Sequence, residues 1–388
     1  MPFQQDPHKL LMIPGPIEVA DDVLYANAHP SMAHTSPEFV PVFGEALKML
    51  RTVVDGPTAQ PIVIAGSGTL GWDMASTNLL EAGDEVLVLT TGYFGDSFAE
   101  CLATYGAKPT QLTAPIGAPS SLDEVAQALR EKKYKAITIT HVDTSTGVLN
   151  DAEGISRVVK EVSPETLVIL DGVCSVASEE IHMDAWGIDY LLFASQKGLG
   201  CPPGLSLSLA SERAIRTFEA RKTPPAIFFG SWKKWLPIMK ASESGRVADF
   251  ATAPVQLIYA LHTSLKTITS GTVSLADRLQ RHRDVSKQVK DGIVALGLEQ
   301  LAVPEARETG VANGMTAVRY PTGMGAADIL PKMAQRGVVF GAGLHKSCKD
   351  EYFRIGHMGV SVVNKERGDI ETLLQHLGEV LKENGFSK

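Results

Sequence analysis

Short apolar runs alternate with amphipathic stretches over the first two-thirds of the chain. Pro61–Ala65, Glu85–Thr90, Ala136–His141, Thr166–Asp171, Tyr190–Ala194 and Leu205–Leu209 are short and rich in Val, Ile and Leu. Runs of this kind predict strands with apolar neighbours on both faces. Helical patterns lie between them. Ser121 is followed three residues later by Glu124, which predicts a capping box at the start of a helix over 121–130. Strand–helix alternation with apolar strands predicts an α/β fold, a mostly parallel sheet covered by helices on both faces.

The pattern changes after about residue 270. A polar helical segment runs through Arg278–Arg283. Shorter strands are predicted at Thr316–Tyr320, Val338–Phe340 and Tyr352–Ile355, and a helical pattern closes the chain. This predicts a smaller C-terminal α+β domain, with the boundary in 255–275. The expected organisation is an N-terminal arm over 1–20, a large domain over 21–265 and a small domain over 266–388. Residues 222–239 concentrate proline and aromatic residues, among them Phe228, Phe229, Trp232 and Trp235. They read either as a surface loop against a partner subunit or substrate entrance, or as ordinary core.

Composition narrows the function classes. The chain has 388 residues, 44% of them hydrophobic, enough for a sizeable core, and a formal charge of −8. That charge gives no long-range attraction for nucleic acid or an anionic membrane. No apolar run approaches the roughly 18 residues that span a bilayer. The N-terminus, Met1–Asp6, lacks the pattern of a targeting peptide, and the chain ends Phe386-Ser387-Lys388. Cys101, Cys174, Cys201 and Cys348 are scattered, so neither a zinc site nor a disulfide framework is expected. The expectation is a soluble cytoplasmic protein without a metal; a mitochondrial or peroxisomal location stays open.

Candidate chemistry gathers where the predicted strands end. Lys197, in Ser195-Gln196-Lys197-Gly198, leaves an apolar strand and enters a small-residue loop. Desolvation there lowers a lysine's pKa and makes its amine a nucleophile toward a carbonyl, as in the Schiff base with pyridoxal phosphate (PLP). Asp171 ends another strand, and in such an enzyme a carboxylate there keeps the pyridine nitrogen protonated. Gly66-Ser67-Gly68-Thr69-Leu70-Gly71 has the spacing of a dinucleotide fingerprint. The ribose-binding acid, however, belongs at the end of the next strand, and Asp84 and Glu85 stand before it or at its start. What remains is an anion site at a helix N-terminus, suited to one phosphate. Phe94 is placed to stack on a flat ring, or to fill core. Arg354, on a probable strand, offers a planar fork for a substrate carboxylate or a surface charge. His141 and Asp143 have no third ligand in range for a metal. No G-x-S-x-G elbow supports a serine hydrolase.

In number and order these motifs resemble the class V aminotransferases. The likeness is greatest to the alanine–glyoxylate and serine–glyoxylate group, above all to its fungal alanine–glyoxylate members. It rests on Leu11–Pro16, Ala33–Phe39, Ala65–Thr69, Thr140–Leu149, Leu170-Asp171, Ala194–Lys197 and Arg354–Gly359. The resemblance implies a fold-type I PLP-dependent homodimer acting on small amino acids and 2-oxo acids. It assigns Lys197 as the Schiff-base lysine, Asp171 as the pyridinium partner, and Ser67, Gly68, Thr69 and Gln196 as phosphate ligands. Thr144 becomes a polar contact to the ring and Val173 an apolar one. Thr252 becomes a phosphate contact given by the other subunit, and Arg354 the substrate-carboxylate anchor. Phe94 stands where many relatives carry a stacking tryptophan. Asp249 stands where a tyrosine often reaches the phosphate, a contact no carboxylate can make. The implied reaction moves the amino group of L-alanine to glyoxylate, giving pyruvate and glycine, with serine as the alternative donor. The rival readings are a PLP lyase or cysteine desulfurase, which needs a reactive cysteine, a nicotinamide oxidoreductase, and a silent binding protein.

Overall fold

The computed structural model describes residues 3–386. Its strands, in chain order, are β1 (Leu10–Leu11), β2 (Gln60–Ala65), β3 (Glu85–Thr90), β4 (Lys108–Thr113), β5 (Ala136–Thr140), β6 (Val142–Asp143), β7 (Val148–Leu149), β8 (Leu167–Asp171), β9 (Tyr190–Ala194), β10 (Leu205–Ala210), β11 (Met315–Arg319), β12 (Val338–Val339), β13 (Gly341–Ala342) and β14 (Tyr352–Gly356). The six long strands expected in the first two-thirds form within one residue of their expected bounds. They join a seven-stranded sheet of order β2-β10-β9-β8-β5-β3-β4. β10 runs antiparallel to both neighbours, and all other pairs are parallel. Every residue of β5, β8 and β9 is buried, as helices on both faces require.

Parallel pairing fixes the geometry of function. The carboxyl ends of β3, β5, β8 and β9 face one edge, and register sets Thr140 beside Asp171 and Asp171 beside Leu192. The loops that follow open into one crevice.

Three expectations are corrected. β4 was not expected; it is an edge strand whose polar sequence, KPTQLT, meets solvent, so it carries no apolar run. Val338–Phe340 was expected among the C-terminal strands. Its ordered part, β12, pairs in parallel with β1, and the small sheet is β11-β14-β13. Half of the capping box forms: Ser121 Oγ accepts from Glu124 N at 3.4 Å, and the reciprocal bond from Ser121 N to the Glu124 carboxylate is absent among the described residues.

The main apolar cluster runs from Val23 to Ile268, and a second gathers Met12 with residues 285–381. Helix Leu275–Ala295 belongs to the second cluster, yet its Arg278 is buried and donates to Ala177 O (3.1 Å) and Gly198 O (2.6 Å). It thereby ties the second cluster to the loops after β8 and β9. The 222–239 segment is partly core and partly surface. Trp232 and Trp235 are buried in the main cluster, and Phe228 is 74% exposed.

The N-terminal segment crosses from one cluster to the other. Met12 N donates to Val339 O, Gly356 N donates to Met12 O, and Ile17 N donates to Gln196 O. A side chain at Gly356 would place Cβ 1.9 Å from Ile13 O. Gly356→Ala is therefore expected to destabilise the protein by roughly 2–3 kcal/mol, the range of overpacking costs, because backbone must move. Denaturant unfolding checks this.

Candidate active site

A cavity of about 230 Å³ opens at the carboxyl edge of the sheet. Ser67, Gly68 and Thr69 form one wall. Ser67 is the N-cap of helix Gly68–Asn78, and its hydroxyl bonds that of Thr69 rather than a helix N–H. That helix therefore presents its positive end to the cavity, as the expected anion site requires. Phe94, Thr144, Asp171, Val173, Gln196 and Lys197 complete the lining expected from the sequence.

Lys197 sits in a turn after β9 pinned by Ser195, whose Oγ donates to Pro202 O (2.7 Å) and accepts from Leu205 N (3.2 Å). Its Nζ donates to Pro14 O at 2.7 Å. Gly15 lies against the lysine stem: a Cβ there would fall 2.4 Å from Lys197 Cδ, at a φ of +134°. Burial lowers the lysine pKa. The Asp171 charge opposes that shift, and the Arg354 charge adds to it.

Asp171 closes β8. Its Oδ1 accepts from Val173 N at 2.9 Å and its Oδ2 from the Trp72 indole Nε1 at 2.8 Å. Burial raises its pKa to about 6 against these two donors. The sign follows from linkage. The unfolded carboxyl titrates near 3.8 and the folded one near 6, so the folded state binds more protons in between. Stability of the cofactor-free protein therefore falls as pH rises through about 4 to 6, by about 3 kcal/mol from this group. Unfolding free energies of wild type and Asp171→Ala at pH 4 and pH 7 isolate the effect. A pH dependence unchanged by the substitution would remove it.

Asp143 does structural work. Its Oδ2 accepts from Phe94 N (3.2 Å) and Gly95 N (3.4 Å), and its Oδ1 from Ser145 N (2.9 Å). This caps helix Tyr93–Thr104 and aims Phe94. His141 lies in the bend between β5 and β6 and meets Trp186 edge-on, ring centroids 6.1 Å apart. Among the described residues no group of three or more His, Cys, Asp or Glu is placed to hold a metal.

Arg354, on β14, is placed beside the cavity wall rather than in its lining. It donates to Ala342 O (2.7 Å) and Thr144 O (3.0 Å), and burial lowers its pKa. Thr252 is exposed in the segment before helix Val255–Ser270 and does not line this cavity. Asp249 pairs with His34 at 3.0 Å.

Sequence reasoning missed Trp72, Cys174 and Pro14. A tryptophan one turn into a helix reads as core, and only strand register brings Asp171 to it. Cys174 lines the cavity, but burial pushes its thiol up to about 12. It stays protonated and makes a poor nucleophile, against a desulfurase reading.

These residues fit PLP. Gln196 Oε1 is buried without a partner, and hydroxyls flank a helix N-terminus. A Cβ at Gly68 would lie 2.8 Å from Val173 Cγ2, so glycine keeps the floor open. A single ring with one phosphate suits the space, whereas a dinucleotide lacks both room and its ribose acid.

The comparisons agree. Residues 20–362 match the family model "Aminotransferase class-V". The chain is 42% identical over 365 residues to alanine–glyoxylate aminotransferase 1 of Saccharomyces cerevisiae, covering 92% of this chain and 93% of that one. It is 28% identical to serine–glyoxylate aminotransferase of Arabidopsis thaliana, covering 90% and 85%. The crystal structure of an alanine–glyoxylate aminotransferase from Nostoc sp. superposes with a TM-score of 0.88 at 30% identity, covering 97% of this chain and 96% of that one. A matched family model over most of the chain, on a sheet that brings a buried lysine and a buried aspartate to one small cavity, makes this protein a member of the class V aminotransferases, which use PLP.

Proposed function

We propose that the protein transfers the amino group of L-alanine to glyoxylate, giving pyruvate and glycine. The observation that carries this is the desolvated Lys197 amine and the Asp171 carboxylate in one cavity of about 230 Å³, with the yeast relative's name supplying the substrates.

Ser67, Thr69 and Gln196, with the helix N-terminus, would hold the phosphate of PLP, and Asp171 its ring nitrogen. Val173 and Phe94 supply apolar contact to the ring. When bound, PLP supplies an electrophilic carbon and an electron sink for the amino acid's α-carbon. Lys197 Nζ, whose protonated form burial disfavours, takes the α-proton and returns it later, as base and then acid. Arg354 holds the substrate carboxylate, and the small cavity favours short side chains. The exchange runs in two halves, so ping-pong kinetics follow.

Loss of a charge-assisted bond to the substrate sets the expected effect of Arg354→Ala: kcat/KM for alanine falls roughly 10–100-fold. An unchanged kcat/KM removes the assigned role.

Serine is the second reading for the donor, because it differs from alanine by one hydroxyl and a pocket discriminates such pairs weakly. The Arabidopsis relative's name supports it. Glycine formation from glyoxylate with alanine, serine or aspartate ranks the donors. No glycine from any of them would sink the proposal.

We further propose a homodimer in which Thr252 of a second copy reaches the phosphate. Phe228 and Phe229 are exposed and pack against Phe250, two residues before Thr252. A cytoplasmic location is proposed on the four free cysteines. No described helix is long and apolar enough to cross a membrane.

A further inference from the structure

We propose that Trp72 is a positioning residue for Asp171: its indole N–H fixes one carboxylate oxygen and keeps the acid ionised where the cofactor's ring nitrogen would bind. The inference rests on the PLP-dependent reading above and deepens it.

Trp72 is buried and lines the cavity one turn after Gly68, on the helix whose N-terminus forms the anion wall. Its ring is held on two sides. It stacks on Phe98 with centroids 5.3 Å apart at 14°, and meets Phe94 edge-on at 6.3 Å and 62°. The indole therefore has little freedom, and its N–H points at Asp171 Oδ2 from 2.8 Å. The other oxygen is taken by Val173 N.

Both donors are uncharged. They steady the carboxylate without neutralising it, so its negative charge stays available to a cation in the cavity. A salt-bridging arginine in the same place would compete with that cation. Of the charged groups around it, Asp143 disfavours ionisation of Asp171 and Lys197 favours it, while Cys174 and Arg354 bear on Lys197. Burial outweighs both, so a strong donor is needed to hold the charged form. The same ring bears on the replacement at position 94. Phe94 offers less apolar surface than tryptophan, and the indole of Trp72 packs directly beside it.

Trp72→Phe keeps an aromatic ring and deletes the N–H. Site-specific replacement by benzothienylalanine deletes it while keeping the bicyclic shape, which guards against a folding defect. PLP is removed from each purified protein and its Kd measured by titration back, alongside kcat and KM for alanine. A bond to a charged acceptor is lost in both variants. The expected result is a PLP Kd raised roughly 10–100-fold and kcat lowered at least about tenfold, with KM for alanine within about threefold. Phe98→Leu, which disturbs the stack and keeps the N–H, is expected to change Kd by less than about threefold. A Kd and kcat within twofold of wild type in the benzothienylalanine protein overturn the inference. So does a Phe98→Leu loss as large as that of Trp72→Phe, which would make the role one of packing. If wild type itself bound no PLP, the functional reading would fail rather than this one.

Discussion

Replacing Lys197 with alanine is expected to lower kcat on the order of 10⁴-fold or more, the upper range for loss of a positioned acid–base group. No other side chain of the cavity can take over. The Cys174 thiol is held protonated, with its pKa pushed up to about 12 by burial. The Thr144 hydroxyl is too weak a base, and Asp171 is tied by Val173 N and Trp72 Nε1. The cavity itself survives, so the variant still binds PLP noncovalently through Ser67, Thr69, Gln196 and Asp171. An added small primary amine partly restores turnover, because the missing function is an unprotonated nitrogen in a dry place. In the cofactor-free protein, burial lowers the pKa of Lys197, so the rate at which added PLP couples to it rises with pH through that depressed value and levels above it. Borohydride reduction followed by peptide mapping locates the linkage; a label at any lysine other than 197 sinks the assignment.

The second large effect is that of Asp171→Asn, expected to lower kcat roughly 10²–10⁴-fold, the equivalent of the ~3–5 kcal/mol lost when one partner of a buried charge pair is removed. Asparagine carries no charge for the ring nitrogen. It also misfits its surroundings, since Asp171 accepts from two N–H groups and an amide nitrogen would face one of them. The variant therefore separates charge from shape only in combination with Trp72. If the indole acts through Asp171, the double variant Asp171→Asn/Trp72→Phe loses far less than the sum of the single losses. A kcat within tenfold of wild type for Asp171→Asn removes the carboxylate from the mechanism.

The legible part of the fold was what local pattern can carry. β3, β5, β8 and β9 are mostly apolar because both faces are covered, and Lys197 and Asp171 stood out as polar residues where such runs stop. β4 was not legible, since an edge strand needs only one apolar face and Lys108–Thr113 barely has that. The pairing of β12 with β1 joins two-residue segments more than 300 positions apart, and no local signal encodes it. Trp72 carries no local signal of a role at the site, and it is buried. Its indole meets Asp171 only because the helix and β8 belong to one layered sheet. Thr252 shows the other limit: a residue whose proposed partner lies in a second copy cannot be placed by one chain.

The segment over Lys197 has a consequence for biosynthesis. Met12 emerges early from the ribosome, yet the residues that bury it lie at 285–381. Sheet strands β2 to β10 can assemble while the remainder is still being made. The stretch Met12–Gly15 cannot settle until Gly356 has left the exit tunnel, because its backbone partners are Val339 and Gly356. The reactive amine thus stays uncovered throughout translation and is roofed over only at the end, which leaves a nascent-chain interval in which a free aldehyde can reach it.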